Sequence, residues 1–224
     1  MDKKIFIANW KSHKTKEEAI KFFEYLRDNI DSVDISNKEI IIAPPFTLLA
    51  KSRHLIDKYS LPVKLSSQNV SSFPEGAYTG EISAKQVREF AYYTIVGHSE
   101  RKRYLHESES EIENKIKEAK EVGLVVIQCI QDENSQLHKD ADIIAFEPPN
   151  AISTFGVGEA DDPKDIERVF SKLSEELSGR TILYGGSVDE KNVKSYSQIQ
   201  TCGGFLIGGA SLEAESFIEL LSQW

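Results

Sequence analysis

Eight short runs recur along the chain, mostly apolar apart from a more polar third run, and most end at a polar, proline or glycine residue. Runs of this length are typical of strands that are buried on both faces, as in a parallel sheet. The runs are Ile5–Ala8, Glu39–Ala43, Val63–Ser67, Thr94–Val96, Leu124–Cys129, Ile143–Phe146, Thr181–Tyr184 and Phe205–Ile207.

Segments with helical periodicity separate most of these strands. Thr15 and Glu18 form a capping box in front of an apolar stripe, which predicts a helix from Thr15 to Ile30. Further helices are predicted over Leu48–Tyr59, Ile82–Phe90, Glu109–Glu121, Asp162–Leu177, Glu190–Tyr196 and Leu212–Trp224.

The connection from the fifth to the sixth strand is unusually short. Residues 130–142 leave thirteen positions for it, close to the lower limit of about ten to twelve for a parallel crossover. The sequence therefore predicts at most a turn or two of helix around Leu137.

Eight strands that alternate with helices predict right-handed βαβ units and a parallel sheet. Eight units in 224 residues have the size of one closed (β/α)8 barrel, or TIM barrel. We find no linker, low-complexity segment or change in composition that would divide the chain. The prediction is an α/β protein whose residues 1–224 form a single barrel domain with a truncated helix between strands 5 and 6.

Charge and composition narrow the classes of partner. The chain has 27 Lys and Arg against 36 Asp and Glu, a net charge of −9, which argues against nucleic acid and anionic membranes as partners. Cys129 and Cys202 lie in neither a CxxC pair nor a metal-ligand spacing. No signal peptide or membrane span is recognisable, so a reducing, cytoplasmic location is expected.

Candidate chemistry follows the strands directly, where a barrel places its active site. Glu147 comes straight after the sixth strand, and Lys11 and His98 follow the first and fourth. His98 precedes a helical turn, which disfavours the imidazolium and predicts a neutral ring that can donate. The strand-end set is Asn9, Lys11, Gln68, Asn69, His98, Glu100, Gln128, Glu147, Ser187, Gly208 and Gly209. The other histidines, His13, His54, His106 and His138, are predicted to be surface residues.

Two glycine turns, Gly185-Gly186-Ser187 and Gly208-Gly209-Ala210, follow the last two strands. Glycine lets backbone N–H groups approach an anion, and barrels often bind phosphate at these two loops. The alternative is that both are tight turns without a ligand. Neither matches a nucleotide-binding motif, so nucleotide binding is not supported.

Seven segments, in order along nearly the whole chain, resemble the triosephosphate isomerase family. They are Ala8–Lys11, Ser67–Val70, Gly76–Ser83, Val96–Arg101, Phe146–Pro148, Tyr184–Val188 and Gly208–Leu212. The resemblance implies interconversion of dihydroxyacetone phosphate and glyceraldehyde 3-phosphate through an enediol(ate), in glycolysis and gluconeogenesis, with no cofactor and no metal.

The resemblance also implies residue roles. Glu147 would be the base, and His98 would polarise the carbonyl and move protons between the oxygens. Lys11, with Asn9 beside it and Glu100 nearby, would stabilise the enediolate. The substrate phosphate would be held by backbone N–H groups of Ser153, Ser187, Gly208 and Gly209.

The loop Gln68–Gly80 resembles the protruding dimer loop of the family. Its tip would enter a neighbouring subunit and bring Thr79 close to Asn9 and Lys11, which implies a homodimer; the alternative is a long surface loop. Cys129 would be an inert thiol near the site.

Two features depart from the family pattern. The crossover at residues 130–142 is about twenty residues shorter than usual. The segment Pro148–Gly156, which resembles the family's lid, has Asn150 where tryptophan is usual and Ser153 and Phe155 where glycines are usual. We therefore expect an active isomerase whose lid closes differently.

Two other functions were considered. A sugar-phosphate epimerase usually needs paired carboxylates or metal ligands at strand ends, and neither is found. The second is a catalytically impaired barrel that binds a phosphometabolite or a protein without turnover. The altered lid favours it, whereas the presence of Lys11, His98 and Glu147 together argues against it.

Overall fold

A closed parallel barrel of eight strands, joined in sequence order, forms the centre of the protein. The computed structural model describes residues 3–151, 161–177 and 179–224. The strands are β1 (Lys4–Asn9), β2 (Lys38–Ala43), β3 (Val63–Ser67), β4 (Tyr93–Val96), β5 (Val125–Ile130), β6 (Ile143–Phe146), β7 (Thr181–Tyr184) and β8 (Cys202–Ile207). The predicted (β/α)8 barrel is confirmed, and β8 closes it by pairing with β1.

Helices surround the barrel in the predicted order. They are α1 (Lys16–Asn29), α2 (Phe46–Tyr59), α3 (Ala84–Arg88), α4 (Ser99–Leu105), α5 (Glu109–Glu121), α6 (Pro163–Glu176) and α7 (Ala214–Gln223). The predicted capping box of α1 is present, with the Glu18 N–H donating to Thr15 Oγ1 and the Thr15 N–H donating to Glu18 Oε2. The capping box stabilises the first turn because it satisfies N–H groups that a helix leaves without partners.

The apolar residues form two layers. Inside the barrel, alternate strand residues such as Ile7, Ile41, Ile95 and Ile127 pack against one another. The intervening residues face outward and pack against the helices. Both faces of each strand are therefore buried, which explains why the strands read as continuous apolar runs.

Two predicted helices are shorter than the pattern indicated. Ile82–Phe90 reduces to α3, because Ser83 caps the helix and Ile82 remains outside it. The predicted helix Glu190–Tyr196 is instead a 3-10 helix over Val193–Gln198. Here Asp189 and Asn192 bind nearby backbone groups through their side chains, which competes with helix formation.

The crossover from β5 to β6 contains no helix; residues 131–142 are all described and form only turns and extended segments. Gln128, fully buried on β5, holds it with both ends of its amide. Nε2 donates to the carbonyl of Gln136 (2.7 Å), and Oε1 accepts from the N–H of His138 (3.0 Å). Arg180 donates to the carbonyls of His138 and Ala141.

His138 is therefore buried, and its prediction as a surface residue was wrong. The sequence placed it in a polar loop, but this loop folds against the barrel in place of a helix. Its Nε2 lies 3.6 Å from Glu109 Oε2. The other three histidines, His13, His54 and His106, are exposed as predicted.

No helix within the described ranges is long and apolar enough to cross a membrane. The assignment of residues 1–224 to one domain stays a prediction.

Candidate active site

A cavity of about 340 Å³ opens at the carboxyl ends of the strands, and we call it the central cavity. It brings together most of the residues singled out in the sequence. Those that line it are Asn9, Lys11, His98, Glu147, Ser187, Gly208 and Gly209. Glu100 lies at its edge against Lys11. Thr79 is exposed on its loop, and Ser153 lies outside the described residues.

Lys11 is held in position by its own backbone and by two neighbours. Its φ of 51° is unusual for a residue with a side chain, and such conformations cost about 1–3 kcal/mol. The Lys11 N–H donates to Asn9 Oδ1 (3.1 Å), and Nζ donates to Glu100 Oε1 (2.7 Å). The side chain also passes close to Gly208, where a Cβ would lie 3.2 Å from Lys11 Cε.

Glu147 is the most buried carboxylate of the site, with 2% of its surface exposed. Oε2 accepts from the Ser99 N–H (3.0 Å), and Oε1 lies 2.9 Å from His98 Nε2. Burial alone would raise the pKa of Glu147, but His98, the Ser99 N–H and the Cys129 thiol together hold that pKa below its ordinary value. The carboxylate is therefore ionised and ready to accept a proton.

His98 precedes α4 and accepts the Glu100 N–H at Nδ1 (3.2 Å). A nitrogen that accepts this bond carries no proton, so the proton of a neutral ring lies on Nε2 and faces the cavity. Burial lowers the pKa of His98, whereas Glu147 and Glu100 raise it, and the net direction is upward. The rise depends on the negative charge of Glu147.

The first glycine turn makes room for Glu147. A Cβ on Gly185 would lie 2.8 Å from Glu147 Cγ, and one on Gly186 would overlap the ring of Tyr184. From the sequence, these glycines were predicted to let backbone N–H groups approach an anion. The structure adds a steric requirement, because the Glu147 side chain lies against Gly185.

Ser187 links this turn to the segment that follows β6. Its Oγ donates to the carbonyl of Ala151 (2.6 Å), the last described residue before the gap at 152–160. Pro149–Ala151 form a short 3-10 turn. The predicted lid lies partly outside the described residues, and its manner of closing stays a prediction.

The sequence did not indicate three residues of the site, Ser99, Asp189 and Asn192. Ser99 donates its N–H to Glu147. Cys129, which was expected near the site, is fully buried, and burial together with the adjacent Glu147 carboxylate raises the pKa of its thiol. Asp189 and Asn192 line the central cavity. Their Asp-x-x-Asn spacing after Gly-Gly-Ser is typical of a side-chain-stabilised turn and would have indicated them.

A barrel with a buried carboxylate, an imidazole, a lysine and two glycine turns at its carboxyl end defines an enzyme that transfers protons on a small anionic substrate. Within residues 3–151, 161–177 and 179–224, no cluster of His, Cys, Asp and Glu is arranged to bind a metal ion.

Comparison with known proteins identifies the family. A family profile described as triosephosphate isomerase matches residues 4–224. A triosephosphate isomerase from Picosynechococcus sp. is 34% identical over 248 aligned positions, covering 99% of each chain. One from Dictyoglomus turgidum is 34% identical over 251 positions with the same coverage. The chain belongs to the triosephosphate isomerase family.

An alignment of 248 positions with a chain of 224 residues includes at least 24 positions that have no counterpart here. That the crossover between β5 and β6 is shorter than is usual in the family stays a prediction.

Proposed function

We propose that Glu147, His98, Lys11 and Asn9 are the catalytic residues of this chain. The protein is an isomerase that interconverts dihydroxyacetone phosphate and glyceraldehyde 3-phosphate, a reaction of glycolysis, as its family membership establishes. The observation that carries the residue assignment is the convergence of all four side chains on the central cavity.

Glu147 is the base that removes a proton from one carbon of the substrate and returns it to the next. Its depressed pKa keeps it ionised at neutral pH. Both carboxylate oxygens are engaged, one by the Ser99 N–H and the other by His98. The carboxylate must therefore turn away from Ser99 when it attacks, and the lack of a side chain at Gly185 keeps the position beside Glu147 Cγ clear.

His98 donates from Nε2 to the carbonyl oxygen of the substrate and moves the proton between the two oxygens. When Glu147 takes up a proton it becomes neutral, and the main cause of the raised His98 pKa is removed. The Glu100 N–H at Nδ1 then favours the neutral imidazole. The charge on the base thus controls the protonation of its partner.

Lys11 stabilises the negative charge that develops on the enediolate, and Glu100 and Asn9 hold it over the cavity. Removal of one such preorganised group typically costs about 3–4 kcal/mol of transition-state stabilisation. The strained φ of Lys11 supports this role, because strain of this kind is concentrated at functional sites.

The phosphate of the substrate is bound by backbone N–H groups of Ser187, Gly208 and Gly209, together with that of Ser153. The glycine turns border the same cavity as Lys11, which supplies a cation close to Gly208. With a net charge of −9 the protein attracts anions only through such a local site.

The active unit is a homodimer that pairs through the loop Gln68–Gly80. The rings of Phe73 and Tyr78 stack at its tip, 4.5 Å apart, and are 46% and 40% exposed. A groove of about 390 Å³ beside the central cavity includes the exposed Tyr104 and Leu105. This groove fits the loop tip of a second copy.

A groove that reaches Asn9 and Lys11 would bring the partner's loop to the site, and with it Thr79. Sedimentation velocity tests the dimer, and a monomer at micromolar concentration contradicts it. We also propose a cytoplasmic location, which the two free cysteines, Cys129 and Cys202, support.

The residue assignment is tested by the isomerase rate of Glu147→Asp beside the wild type. Shortening the side chain withdraws the carboxylate by about 1 Å, and we expect a loss of about a hundredfold in kcat. Glu113→Asp, on the exposed face of α5, is the matched control and should keep the wild-type rate. A variant as fast as the wild type contradicts the role of Glu147. A wild type without activity favours a barrel that binds a phosphometabolite without turnover.

A further inference from the structure

Asn192 stands out because it lines the central cavity while both ends of its side chain are bound to the backbone of the first glycine turn. Nδ2 donates to the carbonyl of Ser187 (2.9 Å), and Oδ1 accepts from the N–H of Asp189 (3.0 Å). A single planar amide thus fixes the chain on both sides of Val188.

The interaction is reciprocal. Asp189 Oδ1 accepts from the N–H groups of Lys191 (2.9 Å) and Asn192 (3.0 Å). In addition, the Val188 N–H donates to the carbonyl of Gly186 (2.9 Å). These bonds close a compact turn in which the direction of each peptide between Gly186 and Asp189 is determined.

The direction of those peptides decides how well the turn binds an anion. A backbone N–H contributes fully only when it points at the oxygen that it binds, and it weakens steeply as the angle closes. Groups that are aligned before binding also avoid the cost of ordering them afterwards. The carbonyl that Asn192 holds belongs to the Ser187–Val188 peptide, whose N–H donates to the Gly186 carbonyl. The Gly186 carbonyl shares a peptide plane with the Ser187 N–H, so Asn192 restrains that N–H through two linked peptides.

We propose that Asn192 is a positioning residue for phosphate binding: its amide aligns the turn Gly186–Asp189 so that the Ser187 N–H points at the phosphate of the substrate. The inference rests on the proposed phosphate site. It assigns Asn192 no contact with the reacting carbons, so its effect should depend on the phosphate group.

The test compares Asn192→Ala and Asn192→Asp with the wild type on two substrates, D-glyceraldehyde 3-phosphate and the phosphate-free D-glyceraldehyde. We expect Asn192→Ala to lower kcat/KM for the phosphorylated substrate by about thirtyfold, in line with a misplaced binding group. It should weaken inhibition by inorganic phosphate about tenfold, as loss of a backbone-orienting hydrogen bond would. The rate on D-glyceraldehyde should change less than about twofold, because that substrate makes no phosphate contact.

Asn192→Asp keeps the size of the side chain and the acceptor for the Asp189 N–H, but it removes the donor and adds a negative charge. It should weaken phosphate inhibition more than alanine does, since the added charge repels the anion. Asn29→Ala is the matched control. That half-buried asparagine also bonds a backbone carbonyl, that of Tyr25 (2.9 Å), at the opposite end of the barrel.

Equal losses on both substrates, or none on the phosphorylated one, would overturn the positioning role. Failure of the underlying site has a different signature. If inorganic phosphate does not compete with the substrate in the wild type, the central cavity is not the phosphate site. If phosphate competes and Asn192→Ala still behaves as the wild type, only the role of Asn192 is wrong.

Discussion

The central cavity and the crossover between β5 and β6 both depend on polar side chains, but these side chains have different roles in the two regions. In the cavity, the buried Glu147 and His98 pair with each other, and Lys11 is held beside them on a strained backbone. In the crossover, Gln128 and Arg180 satisfy backbone groups that a helix would otherwise satisfy within itself.

This difference shows which parts of a barrel tolerate substitution of their residues. The strand ends of β1, β4 and β6 carry side chains whose chemistry no other residue types reproduce. The crossover needs only that its backbone N–H and C=O groups find partners. Gln128 and Arg180 provide such partners for the carbonyls of Gln136, His138 and Ala141 and for the N–H of His138.

The largest effect should come from Gly185→Ala. The new Cβ would lie 2.8 Å from Glu147 Cγ and 3.2 Å from the carbonyl oxygen of Phe146, so it displaces the base. A shift of about 1 Å lowers kcat on the order of a hundredfold. Gly203→Ala is the control. Gly203 lies near the start of β8, away from the central cavity, and its new Cβ would crowd Thr181 at the start of β7. Steady-state kinetics measure kcat of both variants. Equal kcat values would contradict the prediction that a change beside Glu147 affects the chemistry more than a change away from the cavity.

Gln128→Leu should leave the chemistry intact and weaken the fold. It removes two hydrogen bonds to the crossover, and each contributes about 1 kcal/mol, so the free energy of unfolding should fall by about 2 kcal/mol. Urea denaturation measures the change, and kcat per folded molecule should equal that of the wild type. An exposed glutamine, Gln198→Leu, is the control. A loss of kcat larger than the loss of folded protein would show that crossover and cavity are coupled.

A smaller and pH-dependent effect is expected for His98→Gln. The pKa of Glu147 is depressed below 4.5, so its stabilising contribution is present above that pH and is lost as the pH falls through the lower value. The pKa of His98 is raised above 6.5, so its contribution is present below that pH and is lost as the pH rises through the higher value. Between these two pH limits, the free energy of unfolding of the wild type should exceed that of the variant by about 1.5 kcal/mol.

Unfolding measured from pH 4 to pH 9 checks this window. The difference between wild type and variant should narrow at both ends of the range. A difference that is constant with pH would mean that Glu147 and His98 are not coupled through charge.

Most of the barrel could be predicted because each strand is buried on both faces and so appears as a continuous apolar run. The helix ends were harder to predict. Asp189 and Asn192 bind the backbone through their side chains, and the helical segment after β7 starts only at Val193. His138 was misplaced for a related reason. Its burial depends on Gln128, ten residues earlier, and no local pattern indicates a contact of that kind.

The predicted site residues could be found because strand ends meet at one edge of a barrel, so position along the chain determines position in space. The second role of Gly185 could not be found in this way. It depends on the distance to Glu147, which lies on the neighbouring strand and becomes visible only in three dimensions.

The two buried thiols can serve as chemical probes of local opening of the barrel. Cys129 lies in the interior near the short crossover, and Cys202 lies at the start of β8. Burial raises the pKa of Cys202 to about 11 and raises that of Cys129 well above its ordinary value. Neither thiol should therefore react with an alkylating reagent in the closed barrel. The labelling rate of each thiol would therefore report how often the strand that carries it separates from its neighbours. Faster labelling of Cys129 than of Cys202 would show that the barrel opens first at β5, next to the crossover without a helix.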